Sequence, residues 1–322
     1  MTATTKTAKT GVARRADKPK ASDAVKRENR TGWAFMAPFG ILFALVFILP
    51  IIWAIYSSFF RQVTTGGGAY GGGELVDKFV GLQNFQYVIT SGNFWAGVGR
   101  VVLYTVIQVP VMIIAALALA MLIDSYIVKH ITAFRLSYFL PYAIPGVVAS
   151  IIWVYLYNGQ ISPIVKGLAA IGIKVNFFGD NVVLGSMANI TTWTFTGYNM
   201  LIFYSSLSTI PHSLYEAASI DGASEWQIVK SIKLPELKGS LAITVIFSII
   251  GSFQLFNEPS ILQNMVPGNA ITTYYTPNMY AYNLSFSGNQ SNYAAALAIV
   301  MAVITMAIAY AVQLKSMKEQ MK

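Results

Sequence analysis

Residues 215–237 read YEAASIDGASEWQIVKSIKLPEL, a mixed-charge, helix-forming run set between two long apolar segments. Ser213 precedes Glu216 by three residues, the spacing of a capping box, which predicts a helix start there. Asp221-Gly222 ends that helix, since glycine takes up a left-handed backbone that costs a residue with a Cβ about 1–2 kcal/mol. Ser224 and Gln227 repeat the box and predict a second helix, running to about Lys233, where Leu234-Pro235 closes it. Trp226, Val229 and Ile232 then fall on one side of the second helix, and Ala217 and Ala218 let another surface come close to the first. Two readings stand: a docking element, or an interfacial hairpin packed only on its own bundle. A DNA-reading helix-turn-helix is disfavoured, because Glu216, Asp221, Glu225 and Glu236 outnumber Lys230, Lys233 and Lys238 and would repel phosphates.

The surroundings of this loop are those of a membrane protein. Of 322 residues, 55% are hydrophobic and 11% charged, against about 25% charged in a soluble domain. There is no cysteine and there are two histidines, His130 and His212, which excludes disulfides, thiol catalysis and a histidine metal cluster. The net charge of +9 sits mainly in residues 1–32, which hold nine Lys/Arg and three Asp/Glu. That segment lacks apolar periodicity and is expected to be a disordered basic cytoplasmic tail beside an anionic membrane surface. A transit peptide fits poorly with Asp17, Asp23 and Glu28, and the apolar run from Trp33 to Phe60 is far longer than a signal-peptide core.

A helix needs roughly 20 apolar residues to cross the hydrocarbon. Six segments qualify, near 33–60, 97–123, 136–157, 182–207, 240–261 and 293–314. The expected fold is therefore an all-α polytopic membrane protein: a six-helix transmembrane domain over residues 33–322, with a helix-turn-helix loop over 211–236 between spans four and five. With the N-terminus inside, one face carries 17 Lys/Arg and the other five, namely Arg61, Lys78, Arg100, Lys166 and Lys174. The positive-inside rule then places both termini and the loop in the cytoplasm.

Chemistry is sparse. The run TTGGGAYGGG at 64–73 lacks the Gly-Lys-Ser/Thr of a phosphate-binding loop and reads as a flexible outer connector; GLAAIGIK at 167–174 lacks it too. Away from Arg100 near the start of span two and Glu258 near the end of span five, the spans contain no Asp, Glu, Lys, Arg or His. Proton relays need such groups, so a proton-driven carrier is disfavoured, whereas sodium coupling through neutral oxygens stays open. No catalytic set or metal spacing appears at membrane depth. Pro110 in span two and Pro141 and Pro145 in span three are candidate points of bending.

The loop resembles the signature of the permease subunits of ATP-binding-cassette importers, specifically the maltose-type carbohydrate uptake group. That signature is EAA, three residues, G, nine residues, I-x-L-P, and here it reads Glu216-Ala217-Ala218, Gly222, Ile232-Lys233-Leu234-Pro235. GLQNFQYVI from Gly81, FRLSYFLPYAIPGVVASIIWVYLYN from Phe134 and GYNMLIFYSSLSTIPHSLYEAASIDGA from Gly197 are similar to the same group. Val229 and Lys233 depart from a frequent phenylalanine and threonine.

The resemblance implies a transport subunit, not an enzyme, in a bacterial or archaeal cytoplasmic membrane. Glu216, Ala217, Ala218, Asp221, Gly222, Ala223, Ile232, Leu234 and Pro235 would form the ATPase-docking loop, with Ile232 to Pro235 anchoring it to span five. The implied partners are a second related permease, two cytoplasmic ATP-binding subunits and an extracytoplasmic solute-binding protein. No cofactor belongs to this chain: ATP and Mg would be used by the ATPase.

Sugars are held by aromatic faces and neutral amides, so the pathway candidates are Gln254, Asn257 and Glu258 at the end of span five, with Trp193, Tyr198 and Asn199 in span four. Gln254 and Glu258, four apart, are expected to share a helix face. Interhelical hydrogen bonding and an interfacial aromatic belt are the alternative roles for these side chains. The competing function is an ion-coupled secondary carrier of a neutral solute, working without ATPase partners.

Overall fold

In a computed structural model, residues 23–66, 73–125 and 130–320 are described. The chain divides into two units, Met1–Trp53 and Ala54–Lys322. The first contains helix α1 (Asp23–Phe43), a π-turn at Ala44–Ile48 and the first half of α2 (Leu49–Ser58). Its apolar side chains are exposed from Trp33 onward, and Phe39, Phe43 and Phe47 stack one turn apart at 5.9 and 5.4 Å. Residues 23–32, expected to be disordered, are helical. Adding a turn to an existing apolar helix avoids the cost of nucleation, and Ala24, Lys26, Arg27 and Glu28 all favour helix. The rest of the expected tail, residues 1–22, lies outside the described residues.

In the second unit the expected all-α class needs one correction. The outer connector is not simply flexible, since its arms form an antiparallel hairpin of β1 (Phe60–Thr65) and β2 (Glu74–Phe79), with Phe60 opposite Phe79 and Val63 opposite Val76. Val63, Thr64, Thr65 and Val76 favour extended backbone, and the Asn84 amide donates to the carbonyls of Ser58 and Phe60 at 2.8 Å each, fixing the hairpin's base. The middle of the glycine run, residues 67–72, lies outside the described residues.

A short α3 (Gln83–Thr90) leads into α4 (Gly92–Asp124), capped by Ser91 Oγ accepting from the Phe94 amide. Its 33 residues span about 50 Å, and the helix runs on through Pro110. The predicted third span is not one straight helix: α5 (Ile131–Phe139), a 3-10 turn at Leu140–Ala143 and α6 (Gly146–Tyr157) form a pair bent by 98°. Pro141 sits in the turn and Pro145 caps α6, so the two prolines break the helix where neither can donate an amide. After α7 (Pro163–Ala170) comes α8 (Val183–Leu207), whose Gly197 packs so close to α5 that a Cβ there would lie 1.7 Å from the Tyr138 carbonyl oxygen.

The loop region holds α9 (His212–Ile220), α10 (Glu225–Ile228), a π-turn at Val229–Lys233 and α11 (Leu234–Glu236). Leu234-Pro235 does not close the helix as expected. The π-turn, in which the Leu234 amide donates to the Val229 carbonyl, absorbs the proline, and helical backbone continues into α12 (Lys238–Phe253). Span five is then interrupted at Gln254–Phe256 before α13 (Asn257–Met265), followed by α14 (Pro277–Phe286) and α15 (Ser291–Gln320).

Pro259 explains that interruption. In an unbroken helix its ring would meet the Leu255 carbonyl, whereas restarting at Asn257 places it in a first turn, where no amide is needed. The freed carbonyls of Leu255 and Phe253 accept from Thr276 Oγ1 and Asn278 Nδ2, both at 3.0 Å. Gln254, in the break after α12, and Glu258, in α13, therefore share no helix face.

Four helices among the described residues are long and apolar enough to cross a membrane, five if the bent pair counts as one span. The segment that falls short of the expected six is α8, which has the length but carries Asn189, Thr191, Thr192, Trp193, Thr194, Thr196, Tyr198 and Asn199 in its middle. Of these, Thr194 and Asn199 are buried, and Asn189 and Thr191 hydrogen-bond to Tyr157 and Tyr104 of neighbouring helices. The α4–α8 seam buries Ala116 and Ala120 completely against Phe203 and Leu207, small residues letting two helices approach closely. A second cluster gathers Tyr104, Val154, Met187, Ile190, Leu262 and Met279, and a third joins Val88, Phe94 and Val101 to Leu297 and Met301.

Candidate functional site

Two features combine exposure or polarity with definite geometry. The first is the loop. Gly222 has φ +79°, the Ala223 amide donates to the Ala218 carbonyl at 2.9 Å and the Gly222 amide to that of Ser219 at 3.1 Å. This is a Schellman ending, the glycine occupying the left-handed position. The second expected capping box is present: Ser224 accepts from the Gln227 amide while Gln227 Oε1 accepts from the Ser224 amide at 2.7 Å. The first is not. Pro211 stands at the N-cap, fixing the entry φ, and the helix begins at His212 without a side-chain cap.

Glu216, Ala217, Asp221 and Gly222 are exposed, with Ala218 and Ala223 partly so. Around them Leu214, Ile220 and Trp226 present bare apolar surface, Ile220 at 86% and Trp226 at 70% exposure. Trp226 does not share a face with Val229 and Ile232 as expected. The buried side instead runs through Ile228 and Leu237 with Ile232 partly covered; Ile232 and Leu237 pack toward α4 and α8, while Leu234 and Pro235 are exposed. Lys233 points inward too: its ammonium lies 2.7 Å from Asp124 Oδ2 at the end of α4, outside hydrogen-bond angles, and 5.2 Å from the Tyr215 ring centre.

The second feature is a cavity of about 610 Å³ walled by α4, the bend between α5 and α6, α8 and the interrupted α12–α13 pair, within the roughly 300–1,000 Å³ of small-ligand sites. Gln254, Asn257, Glu258, Tyr198 and Asn199 all line it. Trp193 does not: it meets Trp153 edge-on at 5.8 Å, away from the lining. The helix break brings Gln254 and Glu258 to one cavity although they share no helix face.

Its walls hold a polar chain and an aromatic shelf. Tyr104 OH donates to Thr191 Oγ1 at 2.7 Å, which reaches Glu258 Oε1 at 3.5 Å. Gln108 Nε2 and Asn199 Nδ2 both donate to Met112 sulfur, at 3.2 and 3.4 Å, and Ser252 Oγ donates to Gln108 Oε1 at 3.2 Å. A thioether is a weak acceptor, so these amides can be drawn to a better partner at small cost. Tyr142 stacks on Tyr198 at 4.5 Å and meets Phe195 edge-on at 5.6 Å.

Tyr104, Gln108, Met112, Tyr142, Thr191 and Ser252 were not identifiable as cavity residues from the sequence. The available signal was Tyr104 and Gln108 four apart in an otherwise apolar helix. Glu258, one of the two ionisable residues within the predicted spans, places a carboxylate on this cavity, with no Lys or Arg among its lining residues.

Similarity to known proteins agrees with this architecture. The chain is 31% identical over 283 residues to the lactose transport system permease protein of Rhizobium radiobacter, covering 87% of this chain and 91% of that one. It is 30% identical over 280 residues to the arabinooligosaccharides transport system permease protein of Bacillus subtilis, covering 86% and 85%. The fold matches a chain in the crystal structure of a bacterial ABC transporter involved in the import of the acidic polysaccharide alginate, with a TM-score of 0.77 at 19% identity over 92% of this chain and 99% of that one. The family model of binding-protein-dependent transport system inner membrane components matches residues 87–316. This multi-pass, membrane-embedded permease belongs to that family.

Proposed function

We propose that the chain carries a sugar or oligosaccharide through the cytoplasmic membrane as one permease of an ATP-driven importer. The observation that carries this reading is the cavity: a stacked tyrosine pair beside amides and hydroxyls, the groups that bind sugar rings and their hydroxyls. The names of the lactose and arabinooligosaccharide relatives support the same cargo class. Glu258 with no lining cation favours neutral over phosphorylated or acidic sugars.

In this reading α8 is the sixth span, lined by protein on its polar side, and both termini are cytoplasmic by the positive-inside rule. The loop at 211–236 seats in a groove of a cytoplasmic ATPase subunit. Glu216, Ala217, Ala218, Asp221, Gly222 and Ala223 supply its contact and turn, Leu214, Ile220 and Trp226 add apolar surface, and Ile232, Leu234 and Pro235 join it to α12. A second related permease, two ATP-binding subunits that use ATP and Mg, and an external solute-binding protein complete the transporter. Closure of the ATPase pair then rocks the helices about the cavity, so that it opens alternately to either side.

Glu258 supports a second reading. A carboxylate facing a membrane cavity is what an ion-coupled carrier uses, and such a carrier needs no ATPase. Purification in mild detergent, followed by reconstitution and uptake measured with ATP or with an imposed proton or sodium gradient, separates the two. Copurifying ATPase and ATP-dependent uptake support the importer; gradient-driven uptake without ATPase supports the carrier.

A further inference from the structure

The Lys233–Asp124 pair joins the loop to the cavity wall. Lys233 is the variable residue of the I-x-L-P segment, yet its side chain is turned inward at 7% exposure, and that of Asp124 is at 13%. Asp124 ends α4, where the helix dipole disfavours a negative charge, so a cation is the partner it needs. The same ammonium lies against the ring of Tyr215 in α9. One charge thus touches the last turn of α4, the first loop helix and, through its own backbone, the π-turn that follows α10.

From Asp124, α4 runs without interruption to Met112, Gln108 and Tyr104 in the cavity wall, the nearest of them about 18 Å away along the axis. Gln108 and Met112 in turn hold Ser252 of α12 and Asn199 of α8. Resting on the reading of the loop as the ATPase dock, we propose that Lys233 is a positioning residue whose ion pair with Asp124 transmits loop movement to α4 and so to the cavity. Without it, the loop retains its apolar contacts through Ile232 and Leu237 but loses its charged tie to α4.

The test replaces both residues with cysteine, Lys233→Cys with Asp124→Cys, the only thiols on a chain that has none of its own. A short, reducible bifunctional thiol reagent then joins them in the assembled complex, and sugar uptake per ATP hydrolysed is read before joining, after joining and after reduction. Within one preparation the amount of assembled complex is constant, so a merely structural role leaves this ratio unmoved. The expected result is a ratio at least fivefold below wild type when untied, restored on joining and lost again on reduction. A ratio that is the same tied and untied, whether normal or low, overturns the proposal while ATPase copurification keeps the docking reading intact. Failure of the unmodified chain to copurify with an ATPase overturns the docking reading itself, and the proposal with it.

Discussion

Tyr142, in the turn between α5 and α6, and Tyr198, in α8, lie with their rings 4.5 Å apart and 16° from parallel. Tyr142 follows Tyr138 by one turn, and Tyr138 is the residue whose carbonyl packs against Gly197, next to Tyr198, so the α5–α8 contact brings the two rings together just before the chain bends at Ile144–Pro145. The pair forms an aromatic shelf in the cavity.

If a sugar stacks on this shelf, Tyr198→Ala raises the half-saturating sugar concentration for uptake about two- to tenfold, the worth of one aromatic contact. Tyr198→Phe keeps the ring and leaves uptake near wild type. Radiolabelled sugar uptake into proteoliposomes checks both, and an unaffected Ala variant would remove the shelf from the pathway.

Gly222 meets no heavy atom within 4 Å of an added Cβ, so a substitution there acts through its φ of +79° alone. Gly222→Val is expected to destabilise the turn by about 1–2 kcal/mol and to separate ATP hydrolysis from uptake while the membrane fold stays intact. Gly222→Asn, which tolerates the left-handed region, retains most coupling. Uptake and hydrolysis measured side by side decide the matter; normal transport by the Val variant refutes the role given to the turn.

At Gly197 the effect is steric. A Cβ would lie 1.7 Å from the Tyr138 carbonyl oxygen, so Gly197→Ala must push α5 from α8, at a cost of about 3 kcal/mol, the upper end for overpacking. Gly185→Ala in the same helix meets nothing within 4 Å and should leave stability unchanged or raised. Thermal unfolding in detergent compares the two directly.

Glu258 distinguishes the two energy sources. As a hydrogen-bond acceptor for cargo, it is replaceable: Glu258→Gln keeps ATP-driven uptake, Glu258→Ala lowers it about 10- to 100-fold, in line with about 1.5–3 kcal/mol for a charged hydrogen bond, and Gln254→Ala shifts sugar preference. As an ion-binding group, it is not, and Glu258→Gln abolishes uptake driven by an ion gradient.

The loop was the most legible part of the chain because its turn is local: Gly222 and the Ser224–Gln227 box fix their backbone within a few residues. Pro211 at the N-cap displaced the Ser213–Glu216 box, a competition that spacing alone does not resolve. The long apolar helices were legible by composition, but breaks depend on prolines counted backward: Pro259 sets the interruption at Leu255 and Pro145 that at Ile144. Residues 254, 257, 258, 198 and 199 meet in the cavity, whereas Trp193, chosen by residue type, turns to Trp153. Gln108, Tyr142 and Thr191 were hidden because their convergence is tertiary, arising from the 98° bend and the crossing of α4 with α8.

The most direct measurement is ATP hydrolysis by the purified complex in lipid, with its external binding protein, across a panel of neutral and acidic oligosaccharides. A copurifying ATPase whose hydrolysis rises with a neutral sugar class, and loses that response in Gly222→Val, is the predicted result. No ATPase in the preparation, with uptake that follows an ion gradient instead, would contradict it.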